Sequence, residues 1–191
     1  MKQVGLNVAA DPLFTISYTG VNGGMIVLVA DDAGMHSSQN EQDSRHYAIA
    51  SKIPMLEPSD SPDAVEFVKE AYEISEKFDT PVIIKMCTRV AHSQGVVELG
   101  ERKEVPVKEY VKNPAKYIMA PANAIKRHPF VEERTAKLTE YAETSKLNRV
   151  EMGGAEIGII TSSTSYQYAK EVFGDSASLL KLGMVNPLTV Q

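Results

Sequence analysis

The loop that follows the apolar run at residues 25–30 carries side chains that could do chemistry. Between residues 31 and 45 the chain has hydroxyls, amides, one histidine, several carboxylates and one arginine. Arg45 offers a forked set of donors that suits a carboxylate, and His36, beside hydroxyls, can donate to a carbonyl or shuttle a proton. His36 and Arg45 are therefore the catalytic candidates.

The same loop has a simpler interpretation as a solvent-exposed crossover, in which Asp31 and Asp32 cap a turn. Long polar loops at strand ends favour a functional role over that alternative. A metal site is not expected, because His36 and His46 lack a third ligand at a familiar spacing and no cysteine lies nearby. A second polar run, at residues 161–165, has no glycine to close on a phosphate, so helix capping is favoured over ligand binding there.

The elements that must position this loop form a parallel unit. The unbroken apolar row at residues 25–30 predicts a strand covered on both faces. Asn7 is predicted to cap a helix that ends at Gly20, and Ser61 to cap a second helix that ends near Phe78. A second strand follows at residues 82–87, which makes Cys87 a buried strand thiol, so the loop lies at the carboxyl edge of an α/β sheet.

The second half of the chain predicts a further α/β unit. Residues 95–123 show no sustained periodicity, and a charged helix is expected from about Pro129 to Ser145. A strand at 156–161, a helix at 166–173 and a strand at 179–182 suggest a new domain that begins near Ala155. The predicted organisation is thus residues 1–94, a linker at 95–154, and residues 155–191. So small a last unit should not be stable alone, which predicts an internal fragment or a partner.

Composition excludes several classes of protein. The net charge is −5, which argues against a nucleic-acid surface. No run approaches the ~18 apolar residues of a membrane span, and no signal pattern opens the chain. Cys87 is the single cysteine, so no internal disulfide or Cys-rich iron–sulfur site can form, and a cytoplasmic location is expected.

Several stretches resemble one enzyme family closely, nearly from end to end of the chain. They are residues 4–13, 27–32, 36–39, 41–45, 53–58, 88–90 and 92–93. They resemble the large (α) subunit of indolepyruvate:ferredoxin oxidoreductases, within the wider class of 2-oxo acid:ferredoxin oxidoreductases. Gly183-Met184 and Pro187-Leu188 are similar to the family's second domain, which is related to the transketolase C-terminal domain.

The resemblance implies a fold and a site. Residues 1–94 would be the later part of a pyrimidine-binding domain of a thiamine-diphosphate enzyme, and residues 155–191 the start of a transketolase C-terminal-like domain. A turn would lie by the aminopyrimidine ring and the polar loop by the substrate. The implied cofactor-binding residues are Gly5, Leu6 and Asn7, and the implied substrate-binding residues are Ser37, Ser38, Gln39 and Arg45.

The resemblance also implies an activity: oxidative decarboxylation of indolepyruvate and other aryl 2-oxo acids with CoA, giving an aryl acyl-CoA, CO₂ and reduced ferredoxin. The implied cofactors are thiamine diphosphate with Mg²⁺ and iron–sulfur clusters, and the partners are a smaller β subunit, a second α chain and ferredoxin. The activating glutamate, the diphosphate half-site and the cluster cysteines have no counterpart here, so the chain alone is expected to be inactive. The alternatives are an enzyme for another 2-oxo acid, such as pyruvate or a branched-chain acid, and a non-catalytic docking module.

Overall fold

The computed structural model describes residues 1–36, 38–102, 104–154 and 156–189. Two predictions therefore fall outside the described residues: the substrate role of Ser37 and the domain start near Ala155. In chain order the described elements are α1 (Gln3–Val8), α2 (Ala10–Thr19), β1 (Ile26–Ala30), α3 (Ser44–Ser51), β2 (Met55–Leu56), α4 (Ser61–Phe78), β3 (Val82–Met86), α5 (Thr88–His92), α6 (Pro114–Tyr117), α7 (Pro121–Thr144), β4 (Arg149–Glu151), β5 (Gly158–Ser162), α8 (Ser163–Phe173), β6 (Ser178–Leu182) and β7 (Met184–Asn186).

The strands form two sheets, which confirms the predicted α/β class with a parallel sheet. The first has the order β1-β3-β2-β7, with β1 and β2 parallel to β3 and β7 antiparallel to β2. The second has the order β4-β6-β5, with β5 parallel and β4 antiparallel to β6. Because β7 follows β6 after Gly183, the chain passes directly from the second sheet back to the first.

Strand β1 is covered on one face and largely open on the other, so its predicted coverage on both faces is wrong. Val27 and Val29 are buried in a cluster with Leu6, Leu13 and Ala48 of helices α1 to α3. On the opposite face Ile26 packs against a buried cluster that includes Phe67 and Ile74 of α4. Leu28, on the same face, is 49% exposed. The reason is topological: β1 is the edge strand, and the helix layer on this face reaches only its first residue.

Helix α4 forms where its apolar spacing predicts it. Phe67, Ala71 and Ile74 follow each other at helical intervals and are buried against the first sheet. The N-cap is Asp60 rather than Ser61, because the Asp60 carboxylate accepts the backbone N–H of Asp63 at 2.8 Å. The shift of one residue leaves the predicted helix otherwise intact.

Other boundaries differ from the predictions for local reasons. Asn7 lies inside α1 and caps nothing, and a separate helix α2 starts at Ala10, so that Pro12 falls in the first turn, where its missing N–H costs no hydrogen bond. The predicted strand 82–87 ends at Met86, and Cys87 is a half-buried N-cap residue of α5.

Helix α7 is longer than predicted and begins before Pro129, which it contains. Tertiary contacts hold it in place. Arg134 is 3% exposed, and its guanidinium donates to the carbonyl oxygens of Ser17 at 2.9 Å and Asp79 at 3.0 Å. Burial lowers the pKa of Arg134 to about 10. These hydrogen bonds join α7 to the end of α2 and to the residue that follows α4.

The short strands β4 and β7 are absent from the predictions, because three-residue strands leave no periodic pattern. β4 lies in the predicted linker and pairs with β6, whereas β7 lies in the predicted second unit and pairs with β2. The boundaries after residues 94 and 154 stay predictions. Among the described residues, no helix combines the length and the apolar character needed to cross a lipid bilayer.

Candidate functional site

The polar loop lies at the carboxyl edge of the first sheet, beside a small cavity of about 90 Å³. The cavity is much smaller than the roughly 300–1,000 Å³ of drug-sized ligand pockets, so it can hold a single functional group rather than a whole aryl acid. The residues that line it come from the loop, from α3 and from the end of β3. They are Asp31, Asp32, Ala33, Glu41, Gln42, Asp43, Arg45 and Lys85.

The two aspartates that open the loop fix it to its neighbours. Asp31 is 1% exposed and its Oδ2 accepts the backbone N–H of Ser44 at 2.8 Å, while its Oδ1 is buried without a partner in the described structure. Asp32 accepts the backbone N–H of Thr88 at 2.6 Å and also the Thr88 hydroxyl. Burial raises the pKa of Asp32, but these two hydrogen bonds outweigh it and the pKa lies below its ordinary value.

A fully buried carboxylate, Glu57, organises the cations at this edge. Arg45 donates to it through Nε at 2.6 Å and through Nη2 at 2.9 Å. The Ser162 hydroxyl donates to Glu57 Oε2 at 3.1 Å, and Lys85 Nζ lies 3.9 Å from Oε1. Glu57 directly follows β2, Lys85 lies in β3 and Ser162 ends β5, so the carboxylate joins both sheets.

Glu57 was not among the predicted site residues. Its signal was a charged residue placed immediately after the apolar run Ile53–Leu56, a position where a carboxylate is buried only when cations reach it. Those cations lie 12 and 28 residues away in sequence, and the sequence alone does not pair them.

Arg45 lines the cavity, and its guanidinium already contacts two carboxylates. Besides Glu57, it contacts Asp43 Oδ2 through Nη1 at 3.3 Å, and its side chain remains 41% exposed. Burial lowers the pKa of Arg45, and the hydrogen bonds and charge of Glu57, followed by Asp43, more than reverse this, so the pKa lies above its ordinary value.

The other predicted loop residues lie further along the surface. His36 is exposed and has a positive φ of 25°, and Gln39 is exposed as well. Ser38 is half-buried, and its Oγ accepts the Gln3 side-chain amide at 2.8 Å. Of the predicted site residues that the structure describes, Arg45 alone lines the cavity.

Gly5, Leu6 and Asn7 lie within helix α1 rather than in a turn. Leu6 has no exposed surface and belongs to the core cluster beneath β1. Asn7 is exposed, and its side-chain oxygen accepts the Tyr47 hydroxyl. Asn7 is thus the one of these three whose polar side chain can reach a ligand in this conformation.

The hydroxyl run at residues 161–165 does not provide the predicted side-chain cap. Ser162 is the N-cap residue of α8, but its hydroxyl makes no capping bond and donates to Glu57 instead. The next two hydroxyls, of Ser163 and Thr164, lie 4.0 and 3.9 Å from the Cys87 sulfur. The start of α8 therefore packs on the carboxyl edge of the first sheet.

A second buried ion pair lies behind this edge. Lys181 of β6 is 1% exposed, pairs with Asp63 of α4, and lies 4.7 Å from the centre of the Tyr166 ring. Asp63 Oδ2 also accepts the Ser59 hydroxyl at 2.6 Å and the Ser59 backbone N–H at 2.9 Å. Burial raises the pKa of Asp63, but the Lys181 and Ser59 contacts bring it below its ordinary value.

Comparison with known proteins finds relatives of one kind. No protein-family model matches the chain. The sequence is 45% identical over 193 residues to indolepyruvate oxidoreductase subunit IorA of Methanothermobacter marburgensis, 42% over 193 residues to that of Archaeoglobus fulgidus, and 45% over 200 residues to that of Pyrococcus horikoshii. The chain matches a segment of IorA. Each alignment covers 98% of this chain and 31% of the IorA subunit, so the chain spans about a third of those relatives.

The predicted resemblance to the large subunit of indolepyruvate oxidoreductases is confirmed by the IorA alignments. A solved structure agrees at the level of the fold: 2-oxoglutarate:ferredoxin oxidoreductase from Magnetococcus marinus superposes with a TM-score of 0.68 at 17% identity. That comparison covers 98% of this chain and 41% of the other. The IorA-like segment therefore has the α/β fold found in a 2-oxo acid:ferredoxin oxidoreductase.

Proposed function

We propose that this chain forms the part of an indolepyruvate:ferredoxin oxidoreductase that holds the carboxylate of an aryl 2-oxo acid. The observation that carries the proposal is Arg45, a forked cation held at the cavity at the carboxyl edge of the sheet. Sequence identity to IorA along nearly the whole chain supports indolepyruvate as the substrate. The proposed reaction is oxidative decarboxylation with CoA, giving an aryl acyl-CoA, CO₂ and reduced ferredoxin.

The chain's own residues have distinct proposed roles. Arg45 binds the substrate carboxylate, and nearby Lys85, which is nearly buried, adds positive charge at the cavity. His36, with Ser37, Ser38 and Gln39, supplies donors for the substrate carbonyl oxygen, on which negative charge develops in the reaction.

Thiamine diphosphate with Mg²⁺ is the proposed cofactor, and when bound it supplies the electron sink for decarboxylation. The donor set here fits only its pyrimidine end: Asn7 offers an exposed amide, Gly5 precedes it by two residues in α1, and Leu6 supports the helix from the core. The diphosphate, the metal and the iron–sulfur clusters are proposed to be held by other parts of the longer polypeptide. The proposed partners are a smaller β subunit, a second α chain, ferredoxin and CoA, in the cytoplasm.

The test is ferredoxin reduction by the full-length polypeptide that contains this segment, assembled with its β subunit and cofactors. We expect turnover of indolepyruvate above phenylpyruvate, pyruvate and branched-chain 2-oxo acids. Arg45→Met should lower kcat/KM by about 10- to 100-fold, the range for a lost charged hydrogen bond. Arg102→Met, at an exposed position outside the site, is the matched control and should behave as wild type.

Each other outcome has a definite meaning. A preference for pyruvate or a branched-chain acid would replace the substrate and keep the reaction class. The absence of turnover with every 2-oxo acid would overturn the proposal and favour a docking module. The 191-residue chain alone should show no turnover, since the diphosphate site and the clusters are proposed to lie elsewhere.

A further inference from the structure

Glu57 is a charged group that no substrate can touch. It is 0% exposed, yet it accepts hydrogen bonds from Arg45 of α3 and Ser162 of β5, and the Lys85 ammonium of β3 lies 3.9 Å from its Oε1. Its own backbone N–H donates to the Gly183 carbonyl at 2.8 Å, which fixes the carboxylate to the crossing between the two sheets. A buried charge with this many partners is rigid, because losing any of them leaves a desolvated ion.

The bidentate contact determines which part of Arg45 is available. A guanidinium has five N–H groups. Glu57 takes one on Nε and one on Nη2, and Asp43 takes one on Nη1 at a longer 3.3 Å. One N–H on each terminal nitrogen therefore remains for a ligand, and these terminal nitrogens belong to a side chain that lines the cavity.

We propose that Glu57 is the positioning residue that orients Arg45 toward the substrate carboxylate. The hydroxyl of Ser162, in the second sheet, fixes the position of the Glu57 carboxylate through its hydrogen bond. The inference rests on the proposed function and deepens it. An unrestrained arginine loses much rotamer freedom when it binds a ligand, whereas a guanidinium already fixed on one edge loses less, so that the same contact binds more tightly. Glu57 thus acts on the substrate carboxylate through Arg45.

The first experiment is Glu57→Gln in the full-length enzyme with its β subunit. Gln preserves the side-chain shape but turns one accepting oxygen into a donor that faces the guanidinium. We expect KM for the 2-oxo acid to rise about tenfold, the equivalent of one weakened charged hydrogen bond, while kcat stays within about twofold. Glu133→Gln is the matched control, since Glu133 pairs with Lys137 on the exposed face of α7 and should leave KM unchanged.

A double-mutant cycle separates positioning from general stability. If Glu57 acts through Arg45, Glu57→Gln should raise KM no further in an Arg45→Met background. Calorimetry with the corresponding 2-hydroxy acid, which carries the carboxylate but lacks the carbonyl, should show the same tenfold loss of affinity. A purely structural role would instead lower kcat and the melting temperature in both backgrounds with KM unchanged, and would overturn the inference.

If Glu57→Gln does not fold, Ser162→Ala decides the matter, because it removes one donor to Glu57 without changing any charge. We expect a KM increase of about two- to threefold, a partial loss of one hydrogen bond, that again vanishes in the Arg45→Met background. Unchanged KM in this variant would overturn the inference while leaving the proposed function standing. A wild-type enzyme without 2-oxo acid turnover would overturn both.

Discussion

Glu57 and Asp63 both lie in or next to the connection between β2 and α4, both are buried, and both join the first sheet to the second, but their surroundings differ. The cations of Glu57 border a cavity, and Arg45 is 41% exposed. The cation of Asp63 is Lys181, which is 1% exposed and lies against the Tyr166 ring. The arginine paired with Glu57 therefore reaches the surface, whereas the lysine paired with Asp63 lies in the interior.

The difference teaches where a buried ion pair can serve a ligand. Desolvation makes any buried carboxylate costly, so each must be paired and hydrogen-bonded. Around Glu57 the compensating cation, Arg45, is 41% exposed and lines a cavity, whereas Lys181 is enclosed. The Asp63 pair therefore contributes to the docking of the second sheet, and the Glu57 cluster contributes to docking and, on the proposed function, also positions Arg45 for the substrate.

The largest expected effect comes from breaking the enclosed pair. Lys181→Met leaves Asp63 buried without a cation, so we expect the free energy of unfolding to fall by about 3–5 kcal/mol. Urea unfolding of the 191-residue chain at pH 7 measures it. Lys137→Met, which breaks the exposed pair with Glu133, is the control and should change stability by less than about 0.5 kcal/mol.

An equal, small loss in both lysine variants would show that Asp63 reaches solvent in the folded chain. The Asp63–Lys181 pair would then be no more enclosed than the Glu57 cluster, and the contrast between the two carboxylates would be wrong.

These two carboxylates also show what could be predicted from the sequence. The strands β1 and β3, helix α4 and the position of the polar loop were predictable, because apolar periodicity and turn residues are local signals. Arg45 could be singled out for the same reason. The pairing of Asp63 with Lys181 spans 118 residues, and that of Glu57 with Ser162 spans 105, so no local pattern records either.

The missed features share this long-range origin. β4 and β7 are short strands whose existence depends on the partner that they pair with. The exposed face of β1 follows from its place at the sheet edge, which an apolar run does not encode. The hydroxyl of Ser162 could be placed at a helix start, but its choice of Glu57 over a capping bond depends on the approach of the two sheets.

A smaller effect is expected where the chain passes between the sheets. A Cβ at Gly183 would lie 2.3 Å from the Leu147 carbonyl oxygen and 2.6 Å from Phe67 Cζ. Gly183→Ala should therefore destabilise the chain by about 1–3 kcal/mol through overpacking. The control is Gly158→Ala in β5, where a Cβ meets nothing within 4 Å and the loss of backbone freedom in the unfolded state makes Ala neutral or slightly stabilising.

The result bears on how closely Glu57 is tied to the second sheet, since its backbone bonds to the Gly183 carbonyl. If Gly183→Ala is tolerated as well as Gly158→Ala, the chain around Gly183 can move to admit a methyl group. The backbone hydrogen bond from Glu57 to Gly183 would then not fix the carboxylate, and Ser162 would be its link to the second sheet.

The smallest expected effect is the pH-dependent part of the stabilisation that the ionised Asp63 gives to the fold. Because the folded pKa of Asp63 lies below its ordinary value of 3.8, its ionisation stabilises the fold fully above that value, and the contribution is lost as pH falls through the lowered folded pKa. The difference in unfolding free energy between wild type and Asp63→Asn should thus be constant from pH 7 down to about pH 5 and shrink below about pH 4. Urea unfolding of both proteins across this range tests it. A difference that already shrinks between pH 7 and pH 5 would mean that burial outweighs the Lys181 and Ser59 contacts and raises the pKa of Asp63 in the folded chain.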